Sequence, residues 1–288
     1  MTVGIGVLAE SMDMVIVGCD MRATFPRLGT AHEECAKAWI LEKPFQCGVA
    51  VAGKLRIAQP FVDYLTFNMT QVAKEPTIYR EHVETAIDAA RFRIWKRLLD
   101  WEMKKSYGLS LSDWQCGKVP AGKLDPLTLK AGKVLIATTQ LDLEALVAGF
   151  VNGQLLFYKA SVMHPLEAVS TPGVQVIGTG GALAMAHLNR RGQNTGCSLA
   201  RSILHVAEAL DEAKKEPKGT VGKSAWILAI SSTGEMAYVL PNHPTLLGWK
   251  KAYAKRDSTS SLQNCKLSEI QAKGMTKPLV LQKSVRRQ

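Results

Sequence analysis

The sequence predicts an α+β protein built as a four-layer α-β-β-α sandwich of two antiparallel sheets. Three observations carry this expectation. Strand-like runs fall into two groups separated by a pair of long helical patterns. A second helix pair follows the second group, and a last hairpin closes the series. Each sheet then needs one face covered by the other sheet and one by helices, which the four-layer sandwich supplies. At 288 residues, with 47% hydrophobic and 21% charged residues, the chain can bury such a core in one domain.

Residues 2–9 and 14–19 alternate or run apolar with Val and Ile, as strands do, and "ESMD" supplies the turn between them. The polar stretch "RATFPRLGTAHEE" contains Pro and Gly and predicts a loop. "KAWIL" and "CGVAVAG" are two further strands, and the four runs together predict one sheet of two hairpins. Apolar residues at helical spacing mark 55–74 and 76–105 as helices. Residues 106–133, rich in Gly and Pro, predict an extended loop. "VLIATTQ" at 134–140 predicts a strand, followed by the strands "LEALVAGFV" and "QLLFYKAS", joined by the hairpin signal "NG". "VQVIGTGG" is one more strand, 182–191 and 195–215 are helices, and "SAWILAISS-TGE-MAYVLP" is the closing hairpin. Residues 1–256 are assigned to the domain and 257–288, which lose periodicity, to a basic tail. No internal repeat is visible.

The formal charge of +11 suggests nucleic acid until it is located. From Lys250 onward there are ten Lys or Arg against Asp257 and Glu269, so residues 1–249 carry only +3. The tail has no interleaved aromatics for base stacking, and no specific nucleic-acid partner is expected. No apolar run reaches the roughly 18 residues of a spanning helix. "ESMDM" breaks the first apolar stretch too early for a signal peptide. A cytoplasmic protein with no membrane partner is therefore expected. The six cysteines form no CxxC pair, so no zinc or redox motif emerges and no cofactor is implied.

Two glycine motifs mislead. "VIGTGGALAM" has Leu183 where a dinucleotide-binding turn needs its last Gly or Ala, and "GTVGKS" precedes a strand where a phosphate loop leads into a helix. His187 and His205 fall on helices and are taken as packing or surface residues. The N-terminus offers more. An α-amino group has a pKa of about 7.7–8.0, so a Thr in first place can use its own amine as general base for its hydroxyl. Thr2 is small enough for ordinary removal of Met1. A nearby Lys would stabilise the alkoxide, and an Asp would orient that Lys.

Thr2 followed by "VIVGCDMRAT" resembles the opening of proteasome β subunits and their HslV-type and Anbu-type bacterial homologues, which are N-terminal-nucleophile hydrolases. The resemblance covers roughly residues 2–245 and implies the same four-layer sandwich. It makes Thr2 the nucleophile and base, Asp20 the acid, Lys37 the lysine seventeen residues on, and Gly53 of "VAVAGK" the oxyanion donor. Thr179 takes the place of a Ser that bonds near the amine, and Asp211 that of a late Asp. Ala23, Cys35, Val51 and Leu55 fall beside the specificity pocket and imply an apolar residue before the cut. The first hairpin is longer than in typical proteasome β subunits, so the register of Thr2 depends on how "ESMD" folds. The Ser that follows the family's late Asp is absent, with Glu216 near its position.

The implied function is a threonine-type peptidase acting on polypeptide or peptide substrates within a homo-oligomeric ring or spiral, partnered by an ATP-dependent unfoldase. Two alternatives stay open, a catalytically inactive structural ring subunit and a small-molecule amidase on the same fold.

Overall fold

Both faces of the first strand pair are apolar, which forces those strands between two layers and not onto a surface. In the computed structural model this is how they lie. The structure describes residues 3–21, 23–25, 30–32, 37–41, 44–119, 122–123, 125–138, 143–161, 164–169, 172–216, 221–222, 224–239 and 244–254. β1 (Gly4–Ala9) and β2 (Met14–Asp20) form the first hairpin around a 3-10 turn at Glu10–Met12. The short β3 (Ala23–Phe25) and β4 (Thr30–His32) pair with each other inside the stretch expected as loop. β5 (Ala38–Leu41) and β6 (Cys47–Gly53) form the next hairpin, followed by helices α1 (Leu55–Val72) and α2 (Arg80–Tyr107). Then come α3 (Leu111–Cys116), a small pair β7 (Lys118–Val119) and β8 (Gly122–Lys123), and α4 (Pro126–Thr138).

The second half begins with β9 (Leu143–Val151) and β10 (Gln154–Ser161). Asn152 and Gly153 join them with φ of 49° and 75°, as the "NG" signal requires. β11 (Glu167–Ala168), β12 (Val174–Ile177), α5 (Gly181–Arg190) and α6 (Leu199–Ala213) follow. β13 (Ala225–Ser231), β14 (Met236–Val239) and α7 (Pro244–Ala254) complete the described chain.

The sheets have the orders β12-β1-β2-β13-β14 and β11-β10-β9-β6-β5, and all their pairings are antiparallel. Three apolar clusters lie between the four layers. One joins α1 and α2 to the second sheet through Trp39, Val49, Phe61, Leu65, Ile87 and Val147. A second joins α5 and α6 to the first sheet through Ile5, Ile16, Leu188, Ile203 and Ile227. The third fills the space between the sheets with Val15, Val17, Ile40, Ala50, Leu146 and Leu228. Along β2, Ile16 faces the helices while Val15 and Val17 face the other sheet, the period of two expected of a strand. Gly48 lets the sheets approach, since a Cβ there would lie 3.2 Å from Val17 Cγ2.

Four local expectations are corrected. The first two hairpins belong to different sheets, because β13 takes the free edge of β2 and β9 takes that of β6. Residues 134–138 are the second half of α4, not a strand. Asp125 accepts from Thr128 N at 2.9 Å and Pro126 opens that helix, while Leu135 and Ile136 pack against Leu99, Met103 and Leu111. The supposed loop before it contains α3, started by a Ser110–Asp113 capping box and ended by Gly117. The closing hairpin does not end the folded part, since α7 follows, with Leu246 fully buried against the α5–α6 layer. The proposed tail, 257–288, lies outside the described residues. Among the described residues no helix is long and apolar enough to cross a membrane.

Candidate functional site

Four strand ends meet at one end of the sandwich: the start of β1, the end of β2, the start of β5 and the end of β6. The β1–β2 register aligns Gly4 with Cys19, and Asp20 N donates to Val3 O at 3.2 Å. Lys37 immediately precedes β5, and its carbonyl accepts from Val51 N at 2.9 Å, two residues before Gly53. The two hairpins are therefore brought together where their chemistry-bearing residues stand.

Asp20 is the centre of the arrangement. It is 1% exposed, and burial of a carboxylate is tolerated only when donors surround it. Its Oδ1 accepts from Val3 N at 2.8 Å and its Oδ2 from Gly222 N at 2.9 Å. Lys37 Nζ stands 3.5 Å from the same Oδ2, with Lys37 itself only 5% exposed. One carboxylate thus fixes the entry of β1, the loop after α6 and a buried ammonium. Cys19 is next to it, with its Sγ 3.7 Å from Lys37 O. Burial pushes that thiol far above its ordinary range and the Asp20 charge adds to the effect, so Cys19 is not an available nucleophile.

The long first hairpin does not disturb this register. Pairing runs unbroken from Gly4–Cys19 to Ala9–Met14, and the additional length is taken up in the turn. There Glu10, Ser11 and Met12 hold φ of 50°, 57° and 80°. Such a backbone persists only when tied down. Glu10 N donates to Cys197 O at 2.9 Å, Ser11 N donates to Thr195 O at 2.7 Å, and the Glu10 carboxylate accepts from Leu199 N at the start of α6.

The other expected positions are distributed as follows. Gly53 ends β6 with φ of 133°, and Val51 on the same strand is buried in the α1–α2 cluster. Thr179 lies exposed in the turn between β12 and α5. The next residue, Gly180, backs onto Val3: a Cβ there would lie 3.2 Å from Val3 Cβ, 3.0 Å from Ala213 Cβ and 2.9 Å from Val221 Cγ2. Asp211 is on α6, and its carboxylate accepts from Lys214 Nζ at 2.7 Å and Lys250 Nζ at 2.8 Å, tying α6 to α7. Partial burial pushes its carboxyl up, but those two lysines outweigh burial and hold it below the ordinary range. Ala23 stands in β3 and Leu55 opens α1. Thr2 and Cys35 lie outside the described residues.

Sequence reading missed two contributors. Gly222 gives only a backbone N–H, and no side-chain pattern announces it. Glu144 is the sole charged residue of β9, and a lone acid inside "LEALVAGFV" is a signal that could have been used. Its Oε2 accepts from Gly178 N at 2.8 Å. Among the described residues no group of His, Cys, Asp or Glu could hold a metal ion.

No protein-family model matches the chain, and no curated protein matches it. Solved structures do. Anbu (ancestral β-subunit) from Yersinia bercovieri superposes with a TM-score of 0.61 at 12% identity, covering 92% of this chain and 100% of that one. Anbu from Hyphomicrobium sp. strain MC1 gives 0.59 at 10% identity, and its Gly-1 mutant 0.58 at 11%, with the same coverage. The chain has the Anbu-type, proteasome-like fold that its opening residues implied.

Proposed function

We propose that the chain is a threonine-type N-terminal-nucleophile hydrolase that cuts peptide bonds from within a homo-oligomer. One observation carries the proposal: a buried Asp20 grips the backbone N–H of Val3 and faces the Lys37 ammonium. Val3 is covalently the next residue after Thr2, so the group that fixes the lysine also fixes the terminus beside it. With Met1 removed, Thr2 Oγ attacks the carbonyl and the α-amine takes its proton. Lys37 stabilises the alkoxide, and Gly53 N–H receives the oxyanion. As the oxyanion collapses, the C–N bond breaks and the α-amine returns its proton to the leaving amine. Water then hydrolyses the acyl-enzyme ester with the α-amine acting again as base. Thr179 is assigned to the amine side of the site, and Asp211 enters only through α6, whose Ala213 backs Gly180. The apolar or small residues Ala23, Cys35, Val51 and Leu55 favour an apolar residue before the cut. Oligomeric assembly follows the fold, a ring or spiral is the form proposed, and an ATP-driven unfoldase is the class of partner that would feed it.

Intact-mass measurement and peptide hydrolysis test this reading together. The expected result is a protein lacking Met1 that cleaves fluorogenic peptides with an apolar residue before the bond, with Thr2→Ala abolishing cleavage. Retained Met1 rules out the amine mechanism. Absence of turnover on any peptide leaves the inactive ring subunit or the small-molecule amidase. Light scattering on the same sample reads the oligomeric state.

A further inference from the structure

We infer that Glu144 is a positioning residue of this site: from the second sheet it clamps the turn that carries Thr179 and covers Val3. The inference rests on the N-terminal-nucleophile reading above. Glu144 stands in β9 opposite Ala52 of β6, one step from the Leu143 that pairs with Gly53. The rest of β9 is Leu, Ala, Val, Gly and Phe, and Glu144, at the strand's half-exposed second position, is its one charge.

Both oxygens are engaged. Oε1 faces Lys159 Nζ of β10 at 3.2 Å, and Oε2 accepts from Gly178 N at 2.8 Å. Gly178 follows β12 in the first sheet with φ of 83°, a conformation that turns the chain sharply into α5. The first turn of α5 contains no acid, and its N-cap, Gly180, has no side chain to accept from the helix. Glu144 therefore places, from another sheet, the negative charge that a helix start favours. The turn it holds is pressed against Val3, Ala213 and Val221. Any displacement of the turn moves Thr179 and is transmitted through Gly180 to the residue next to Thr2. Asp20 fixes the terminal strand from within, and Glu144 fixes its cover.

The test uses the full chain with Glu144→Ala, Glu144→Gln and, for comparison, Thr179→Ala. Hydrogen exchange is measured over residues 177–184. Carbamylation of the Thr2 amine by cyanate is followed against pH on the N-terminal peptide, beside kcat and KM for a fluorogenic peptide. Glu144→Ala is expected to speed exchange over the turn about tenfold, as for loss of one charge-assisted bond. It should also move the carbamylation midpoint in the direction Thr179→Ala moves it, and lower kcat while KM holds. Glu144→Gln keeps an oxygen for Gly178 N but not the charge, and should bring exchange and midpoint part of the way back to wild type. Unchanged exchange and midpoint in Glu144→Ala, with wild-type hydrolysis intact, overturn the positioning role and leave the hydrolase reading standing. A wild type that cuts no peptide, yet shows the shifted midpoint in Glu144→Ala and its partial rescue by Gln, sinks the peptidase reading and supports the positioning.

Discussion

Replacing Asp20 by Asn tests whether the carboxylate or merely the shape of the side chain organises the site. The Asn Oδ1 can still accept from Val3 N. Its Nδ2, however, would point a donor at Gly222 N–H and at Lys37 Nζ, now 2.9 and 3.5 Å from Oδ2. Both side chains are almost wholly buried, at 1% and 6% exposure, so solvent cannot compensate for the lost charge. Breaking a buried pair on one side costs about 3–5 kcal/mol. At roughly 2–4 °C per kcal/mol for a domain of this size, Tm should fall by about 10 °C. Thermal and urea unfolding of wild type, Asp20→Asn, Lys37→Met and the double variant make the measurement. The double variant removes both members of the pair, so it should cost about 1–2 kcal/mol less than the two single changes summed, while regaining no peptide hydrolysis. A Tm for Asp20→Asn within about 2 °C of wild type would refute the reasoning. So would strictly additive losses in the double variant, because the two charges would then not act on each other.

Two further outcomes follow from the surrounding structure. His205 is fully buried, and its Nδ1 donates to Gln193 Oε1 at 2.9 Å, while Gln193 Nε2 donates to Ser202 Oγ and Leu8 O. Burial, then the charges of Arg201, Arg191 and His187, lower its pKa to about 3. The unfolded chain takes up this proton below about pH 6.5 and the folded chain does not. Its contribution is therefore present above that pH and is lost toward pH 3, at a limit of about 1.4 kcal/mol per unit. Urea unfolding between pH 7 and 5 should show this slope, and His205→Gln should flatten it. Gly149→Ala should destabilise by about 3 kcal/mol, because its φ is 157° and the new Cβ would meet the Gln46 carbonyl and Cys47 backbone. A near-neutral melting curve for that variant would contradict the β6–β9 register.

The layer order was legible because strands with two apolar faces admit few partners. Val15 and Ile16 on successive positions of β2 already demand one layer on each side. Sheet membership was not legible. "ESMD" and "EKPFQ" identify two hairpins, but nothing local says that β2 pairs with β13 and β6 with β9 across ninety residues or more. The segment 106–138 failed for another reason, since its composition was weighed and its caps were not. "SLSD" is a capping box and "DPLT" an Asp cap followed by a first-turn Pro, and both start helices in the structure. Val134 and Ile136 are β-branched, but a helix already begun at Pro126 and packed on α2 overrides that local preference.

The site was legible where it is made of side chains at fixed spacing and obscure where it is made of backbone. Asp20 and Lys37 were matched by the seventeen-residue spacing that the family resemblance implies, and the structure brings their charges together. What holds them in place is largely N–H groups: Val3 and Gly222 on Asp20, Gly178 on Glu144. Any residue but Pro supplies an N–H, so these partners leave no trace in composition. The "ESMD" turn shows the same division. Its length is plain in the sequence and suggests a shifted Thr2. Its effect is set by the carbonyls of Thr195 and Cys197, which take up the strained turn nearly two hundred residues away. The β1–β2 ladder consequently reaches Gly4 in register, and Asp20 N meets Val3 O at the opposite end of β1 from the long turn. Mutations in the turn should therefore change the stability of α6 packing before they change the spacing between Val3 and Asp20.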